Sequence, residues 1–238
     1  MTTGARRRMG VEERREQLIA VALDLFSHRS PEDVSIDEIA EAAGISRPLV
    51  YHYFPGKQQL YEAALRRAAE ELTTRFVEPH EGPLGARLLR VMERYFDFVE
   101  EHGRGFSALM RGGPAAGSSR TSAMIDGVRQ AAFEQILAHL DIAQPAPRLE
   151  LVVRSWISLA ETTALLWLDG QRIPRAELER QLVHDFAALA AVSAAYDERM
   201  AEVVRRILAD EPADGMFAEL VERLAVRCGP LRFASADF

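Results

Sequence analysis

The stretch AEAAGISRPLVYHYFPGKQQLYEAAL, Ala40–Leu65, gathers Tyr51, His52 and Tyr53 between a glycine and the only lysine of the chain, Lys57. Helical spacing sorts its side chains. Val50 and Phe54 lie one turn apart and face inward, while Arg47 and Tyr51 share an outward face with Pro48 and His52 beside them. The aromatic and basic face is therefore the outer one. Upstream, Ser35 followed three residues later by Glu38 is a capping box, so a helix is predicted from Ile36 to about Ala43. Ile36, Ile39, Ala40 and Ala43 form its inner stripe, and Gly44 suits the left-handed residue that ends it, with Ile45 tucked behind. Ser46 is expected to cap the next helix, and Pro48 falls in its first turn, where proline costs little. Pro55-Gly56 ends that helix.

A helix over residues 11–28 precedes this pair, with Leu18, Ala22, Leu25 and Phe26 at helical spacing. Three helices, the last two joined at a glycine turn, make a helix-turn-helix unit. A tyrosine hydroxyl and a histidine ring can donate to phosphate oxygens. Arg47, near its helix N-terminus, stands where a side chain reaches guanine O6 and N7 in a major groove. Lys57 opens the following helix, so its ammonium and that helix's free N–H groups would converge on one phosphate.

The rest of the chain also reads as helix, with no convincing strand and no internal repeat. A helix from Lys57 to about Val77 is followed, after Glu81–Pro83, by one ending near Glu101; Gly103 and Gly105 are then expected to punctuate. Residues 112–119, GGPAAGSS, read as a loop, followed by helices over Ser122–Leu140, one opened by Pro145 and Pro147 and running to about Leu168, and one from Pro174 to roughly Ala195. Two shorter helices finish the chain. The predicted fold is all-α: a basic arm at 1–10, a helix-turn-helix domain at 11–56, and a larger helical domain at 57–238. The last comprises a connecting helix at 57–77 and additional C-terminal helices at 196–238.

Composition narrows the class. Of 238 residues 48% are hydrophobic and 27% charged, enough for a core and unlike a disordered chain. The single cysteine, Cys228, excludes an internal disulfide framework and a CxxC metal or redox pair. No apolar N-terminal core follows MTTGARRRMG, and no apolar run is expected to approach the roughly 20 residues that span a bilayer. A cytoplasmic protein with no membrane partner is the expectation. The net charge of −7 does not exclude a small DNA-binding patch, because the local field outweighs the total. Arg6, Arg7 and Arg8 are open to two readings, a solvated tail or a minor-groove arm.

Residues 35–60, SIDEIAEAAGISRPLVYHYFPGKQQL, resemble the DNA-binding domain of the tetracycline-repressor (TetR) family of bacterial regulators, and the resemblance covers roughly residues 11–65. It implies base reading at Arg47, phosphate binding at Tyr51 and Lys57, and base, methyl or backbone contacts at Pro48, His52 and Tyr53. The position of Leu49 often carries a small polar residue that touches phosphate. Leu49 cannot hydrogen-bond and could instead meet a thymine methyl. Ser35 could touch phosphate as well as cap its helix. The resemblance further implies a ligand-responsive repressor that binds a palindromic double-stranded operator as a homodimer and is released by a small-molecule effector.

Apolar residues spread around nearly the whole helix from Leu149 to Leu168, which demands burial from more than one side. Together with the next helix it is expected to form a dimer bundle, with Trp156, Leu165, Leu182, Phe186 and Ala190 at the interface. A ligand pocket is expected among Tyr95, Phe98, Phe106, Met110, Met124, Phe133 and Trp156. Glu161 there could bind a ligand or pair with Arg154. No cofactor and no metal site is expected. HExxH, Glu-x-x-His, GxSxG and P-loop patterns are missing, so an enzyme is not the expectation. The competing reading is a partner-binding helical protein whose DNA binding is lost or controlled by another protein.

Overall fold

The computed structural model describes residues 10–110, 119–170 and 172–228; the arginines at 6–8 and residues 112–118 of the expected loop lie outside them. Among the described residues the chain is all helix: α1 (Val11–His28), a 3-10 turn (Pro31–Asp33), α2 (Ile36–Ala42), α3 (Arg47–Tyr53), α4 (Lys57–Arg75), α5 (Leu84–Glu101) and α6 (Gly103–Met110). They continue as α7 (Ser119–His139), α8 (Pro147–Gly170), α9 (Arg175–Ala194), α10 (Glu198–Asp210) and α11 (Met216–Cys228). Two packing units form, one from Met1–Thr74 with Asp97–Val128, the other from Arg75–Phe96 with Arg129–Phe238. The first unit is thus larger than residues 11–56, because most of α4, and α6, fold with the helix-turn-helix.

In the first unit Leu18, Ala22 and Phe26 of α1 are buried with Ile36 and Ile39 of α2, Val50 of α3, Phe54, and Leu60 and Tyr61 of α4. Burying side chains of this size is worth about 1.5–3 kcal/mol each, which holds helices of only seven residues that could not persist alone. Gly103 opens α6 after a one-residue break from α5 at His102, as expected, but Gly105 does not punctuate: it lies inside α6. A Cβ on Gly105 would sit 2.5 Å from the Phe26 carbonyl oxygen, so the glycine is there to let α6 approach the α1 backbone.

In the second unit α9 is the hub, contacted by α8, α10 and α11. Trp156 is 3% exposed and its Nε1 donates to the Leu182 carbonyl at 2.7 Å; its ring meets Phe186 edge to face at 5.4 Å. The additional C-terminal helices complete this unit. Glu211, after α10, accepts from the Gly85 N–H of α5 at 2.7 Å, and Arg206 donates to the Leu140 carbonyl at 2.7 Å. Contrary to expectation, α8 is long and apolar enough, at a mean hydropathy of 1.3, to cross a membrane by length and composition. Its apolar stripes have other duties here, Leu149, Val153 and Trp156 being core.

His139 makes this unit acid-sensitive. It is 7% exposed, accepts from Arg87 Nη1 at Nδ1 over 3.0 Å, and stacks on His80 at 4.4 Å. Burial first, then the Arg87 and His80 charges, push its pKa down to about 4. Below pH 6.5 the unfolded chain takes up a proton that the native state refuses, so stability falls as pH drops from about 6.5 to about 4. The loss should reach on the order of 3 kcal/mol at 1.36 kcal/mol per pH unit. Thermal melts across that window should flatten in His139→Gln; an equally steep acid decline in the variant would assign the effect to another group.

Candidate nucleic-acid interface

The N-terminus of α2 is closed by the expected capping box: Ser35 Oγ accepts from the Glu38 N–H at 3.1 Å, and Glu38 Oε2 accepts from the Ser35 N–H at 2.8 Å. Arg29 Nη1 donates to the other Glu38 oxygen at 2.6 Å. That bond, then the Ser35 N–H, holds the Glu38 carboxyl down at about 2. The far end of α2 turns through Gly44 at φ 65°, with Ile45 N–H bonded to the Ala40 carbonyl and Gly44 N–H to the Glu41 carbonyl. This pair of bonds is the Schellman arrangement, and it fixes the angle at which α3 departs. Ser46 precedes α3 without the expected side-chain cap; only its carbonyl is used, accepting from the Leu49 and Val50 N–H groups.

α3 is sorted as its spacing requires. Val50 and Phe54 are buried at 0% and 3%, whereas Arg47, Pro48, Leu49, Tyr51 and His52 are all exposed. Tyr53 is half-buried, packs against the core, and meets His52 edge to face at 5.2 Å. The exposed set therefore offers, within two turns, a guanidinium, a phenol, an imidazole and two apolar surfaces. Arg47 is not loose: its Nη1 donates to Asp37 Oδ2 at 2.8 Å and its guanidinium carbon lies 5.7 Å from the Tyr51 ring centre. Lys57 is also engaged, donating from Nζ to the carbonyls of Pro31 at 2.8 Å and Val34 at 3.1 Å. It thereby staples the start of α4 to the 3-10 turn. Sequence reading missed Asp37, because a bond spanning ten residues across two helices leaves no mark in either helix's periodicity.

The expected ligand residues divide between the two units. Phe98, Phe106, Met110 and Met124 lie in the first, and Tyr95, Phe133, Trp156 and Glu161 in the second. Burial raises the Tyr95 hydroxyl far above the ordinary phenol range, with the Glu161 charge adding to it. Glu161 does pair within the protein, but with Arg129 rather than Arg154: Nε and Nη2 of Arg129 donate to its two oxygens at 2.9 and 2.8 Å. Arg154 instead bonds Glu150 at 2.8 Å and lies over the Phe133 ring at 4.2 Å. The one-turn step from Glu150 to Arg154 beats the two-turn step to Glu161 in reach. A cavity of about 370 Å³ in the second unit is lined by residues 142–149 and the start of α10, and none of the eight expected residues borders it.

Four of the five expected interface residues are not on a surface. Trp156, Leu182, Phe186 and Ala190 are 3%, 1%, 1% and 3% exposed, spent on packing α8 against α9 within one chain, and Leu165 is half-buried. The outward apolar residues are others: Leu151 at 63%, Leu159 at 37% and Leu166 at 68% on α8, and Val192 at 64% on α9. The three leucines share a face of α8 with Ser155, Ser158 and Thr162, a stripe without charge between Leu151 and Leu166, with Arg148 and Asp169 at its two ends.

A capped helix, a glycine-turned second helix and an outward basic and aromatic face define a helix-turn-helix DNA-binding protein. Residues 18–64 match the model of bacterial regulatory proteins of the tetR family, and residues 84–189 match the tetracyclin repressor-like C-terminal domain. A crystal structure of a tetR-family transcriptional regulator from Streptomyces coelicolor is 76% identical, covers 93% of this chain and all of its own, and superposes with a TM-score of 0.91. The HTH-type transcriptional activator FasR of Mycolicibacterium smegmatis is 27% identical over 169 residues, 69% of this chain and 77% of FasR. The HTH-type transcriptional regulator RutR of Escherichia coli is 39% identical over 66 residues, 28% of this chain and 31% of RutR. This chain belongs to the TetR family: it is a transcriptional regulator with a helix-turn-helix DNA-binding domain, not an enzyme.

Proposed function

We propose that the protein binds a palindromic operator as a homodimer, represses transcription there, and is released by a small-molecule effector. The observation that carries the DNA half is the exposure of Arg47, Pro48, Leu49, Tyr51 and His52 together on a helix anchored to the core through the buried Val50 and the half-buried Tyr53. Arg47 reads guanine; Tyr51 and His52 donate to phosphates; Leu49 and Pro48 meet thymine methyl groups. Tyr53 contributes through the His52 ring it supports. Ser35 and Lys57 border a phosphate, Lys57 supplying charge while it holds the 3-10 turn. The charge-free stripe of Leu151, Leu159 and Leu166, beside Val192, supports the dimer, since two recognition helices must enter successive major grooves about 34–36 Å apart. The effector reading rests on family membership. So does a cytoplasmic site of action, beside the genome.

The test is fluorescence anisotropy of the protein on labelled intergenic DNA beside its own gene, at several salt concentrations, with scrambled DNA as control. Specific binding at about 10⁻⁸ M or tighter, falling steeply with salt, is expected. Arg47→Ala should cost about 1–3 kcal/mol on the operator and little on scrambled DNA. Lys57→Ala should weaken both alike and flatten the salt slope by about one. Binding no stronger than to scrambled DNA on every upstream region tried would favour the partner-binding reading. Because FasR is named an activator, a promoter-reporter assay carries the sign: deletion of this gene should raise, not lower, reporter output.

A further inference from the structure

The carboxylate of Asp37 is out of place on a surface built for phosphates. It is 64% exposed, carries the charge DNA repels, and sits at the second residue of α2, where no core contact requires it. Its bond to Arg47 gives it a purpose. Capping box, Schellman turn and the shared burial of Ile36, Ile39 and Val50 fix α2 relative to α3, so the Asp37 carboxylate is a rigid post beside the recognition helix. It takes Arg47 Nη1 at 2.8 Å, while the Tyr51 ring flanks the guanidinium from another side. An arginine has five N–H donors in a planar fork, and this bond occupies one end of it. The Tyr51 side chain engages the guanidinium as well, and the Nε and Nη2 edge is the pair of donors that can bond guanine O6 and N7 together.

Resting on the reading of Arg47 as a base contact, we propose that Asp37 is a positioning residue for base recognition, holding the guanidinium in the plane of a guanine edge before DNA arrives. As an exposed pair the bond adds little to fold stability, so its consequence lies in recognition. Removing Asp37 takes away one repelled charge, which favours all DNA. It also frees Arg47 to rotate, which penalises only the cognate site. Affinity and discrimination therefore move in opposite directions, an outcome that neither general electrostatics nor loss of folding produces.

The experiment uses the full-length protein and a duplex enriched by the wild type from a random-sequence library, with scrambled duplex as reference. Asp37→Ala is expected to bind scrambled DNA several-fold tighter while the ratio of operator to scrambled affinity falls about tenfold. Asp37→Asn keeps an acceptor for Nη1 and should restore most of the ratio while keeping the tighter scrambled binding. In Arg47→Ala, adding Asp37→Ala should change the ratio no further. A ratio that holds or rises in Asp37→Ala, with Arg47→Ala still impaired, overturns the inference and makes Asp37 a competitor of DNA instead. A ratio indifferent to Arg47→Ala, or a library that yields no consensus, removes the base-reading proposal and this inference with it.

Discussion

Leu166→Asp is expected to leave each chain folded but monomeric, and to lower operator affinity by a hundredfold or more. Leu166 is 68% exposed in the single chain, so the substitution removes nothing from its core. In the proposed dimer the same position is buried against a second copy, and an unpaired carboxylate there costs several kcal/mol in each subunit. A monomer reaches one half-site, and what separates it from the dimer is the second set of contacts. Specific and non-specific binding differ by about 10³–10⁷, and most of that gap is lost when half the site goes unread. Light scattering should give a mass near 26.6 kDa for the variant and twice that for the wild type. A Leu166→Asp protein that stays dimeric and binds operator normally places the interface elsewhere; Leu151→Asp, at 63% exposure, probes the other end of the stripe.

The second large effect is on folding. Gly105→Ala should destabilise the first unit by about 1–2 kcal/mol, although alanine is the better helix former. Relieving the glycine's backbone freedom inside α6 gains at most about 1 kcal/mol. Against it stands a Cβ placed 2.5 Å from the Phe26 carbonyl oxygen and 3.2 Å from its carbon, both backbone atoms that cannot swing aside as a side chain would. Overpacking of that kind costs about 1–3 kcal/mol and sometimes more, so the clash wins. The matched control is Gly127, also inside a helix, α7, where a Cβ meets nothing within 4 Å. Gly127→Ala should raise the melting temperature by a few degrees while Gly105→Ala lowers it by roughly 2–8 °C. If both substitutions stabilise, α6 does not lie against α1 as described.

The contrast between those glycines marks how far the sequence could be read. Both stand in helical surroundings, and local pattern assigned Gly105 to a break because two glycines in three residues usually mean one. What keeps it helical is the α1 backbone beside it, which comes from residues eighty positions earlier. The helix-turn-helix was legible for the opposite reason. Ser35 with Glu38, Gly44 with Ile45, and Val50 with Phe54 are local devices, each complete within six residues, and each formed as read. Ser46 is the exception, its hydroxyl unused as a cap because the carbonyl alone satisfies the first turn of α3.

Partner choice was the illegible part. Glu161 invited a partner, and spacing along α8 pointed to Arg154; the bond went to Arg129 on α7, while Arg154 was captured by Glu150 and the Phe133 ring. Periodicity likewise showed that α8 must be covered on more than one side, but not which side its own chain covers. Trp156, Leu182 and Phe186 went to the core of one chain, leaving Leu151, Leu159 and Leu166 outside.

By itself, then, the sequence determined the all-α fold, the approximate limits of most helices though not α6, and the outward face of α3. Those follow from capping, turn conformation and a 3.6-residue period, all interactions between near neighbours in the chain. The tertiary structure alone decided which acid holds Arg47, where the ammonium of Lys57 rests, which arginine takes Glu161, and which leucines of α8 stay exposed. These depend on distances between segments far apart in sequence, where many partners are chemically acceptable and packing selects one.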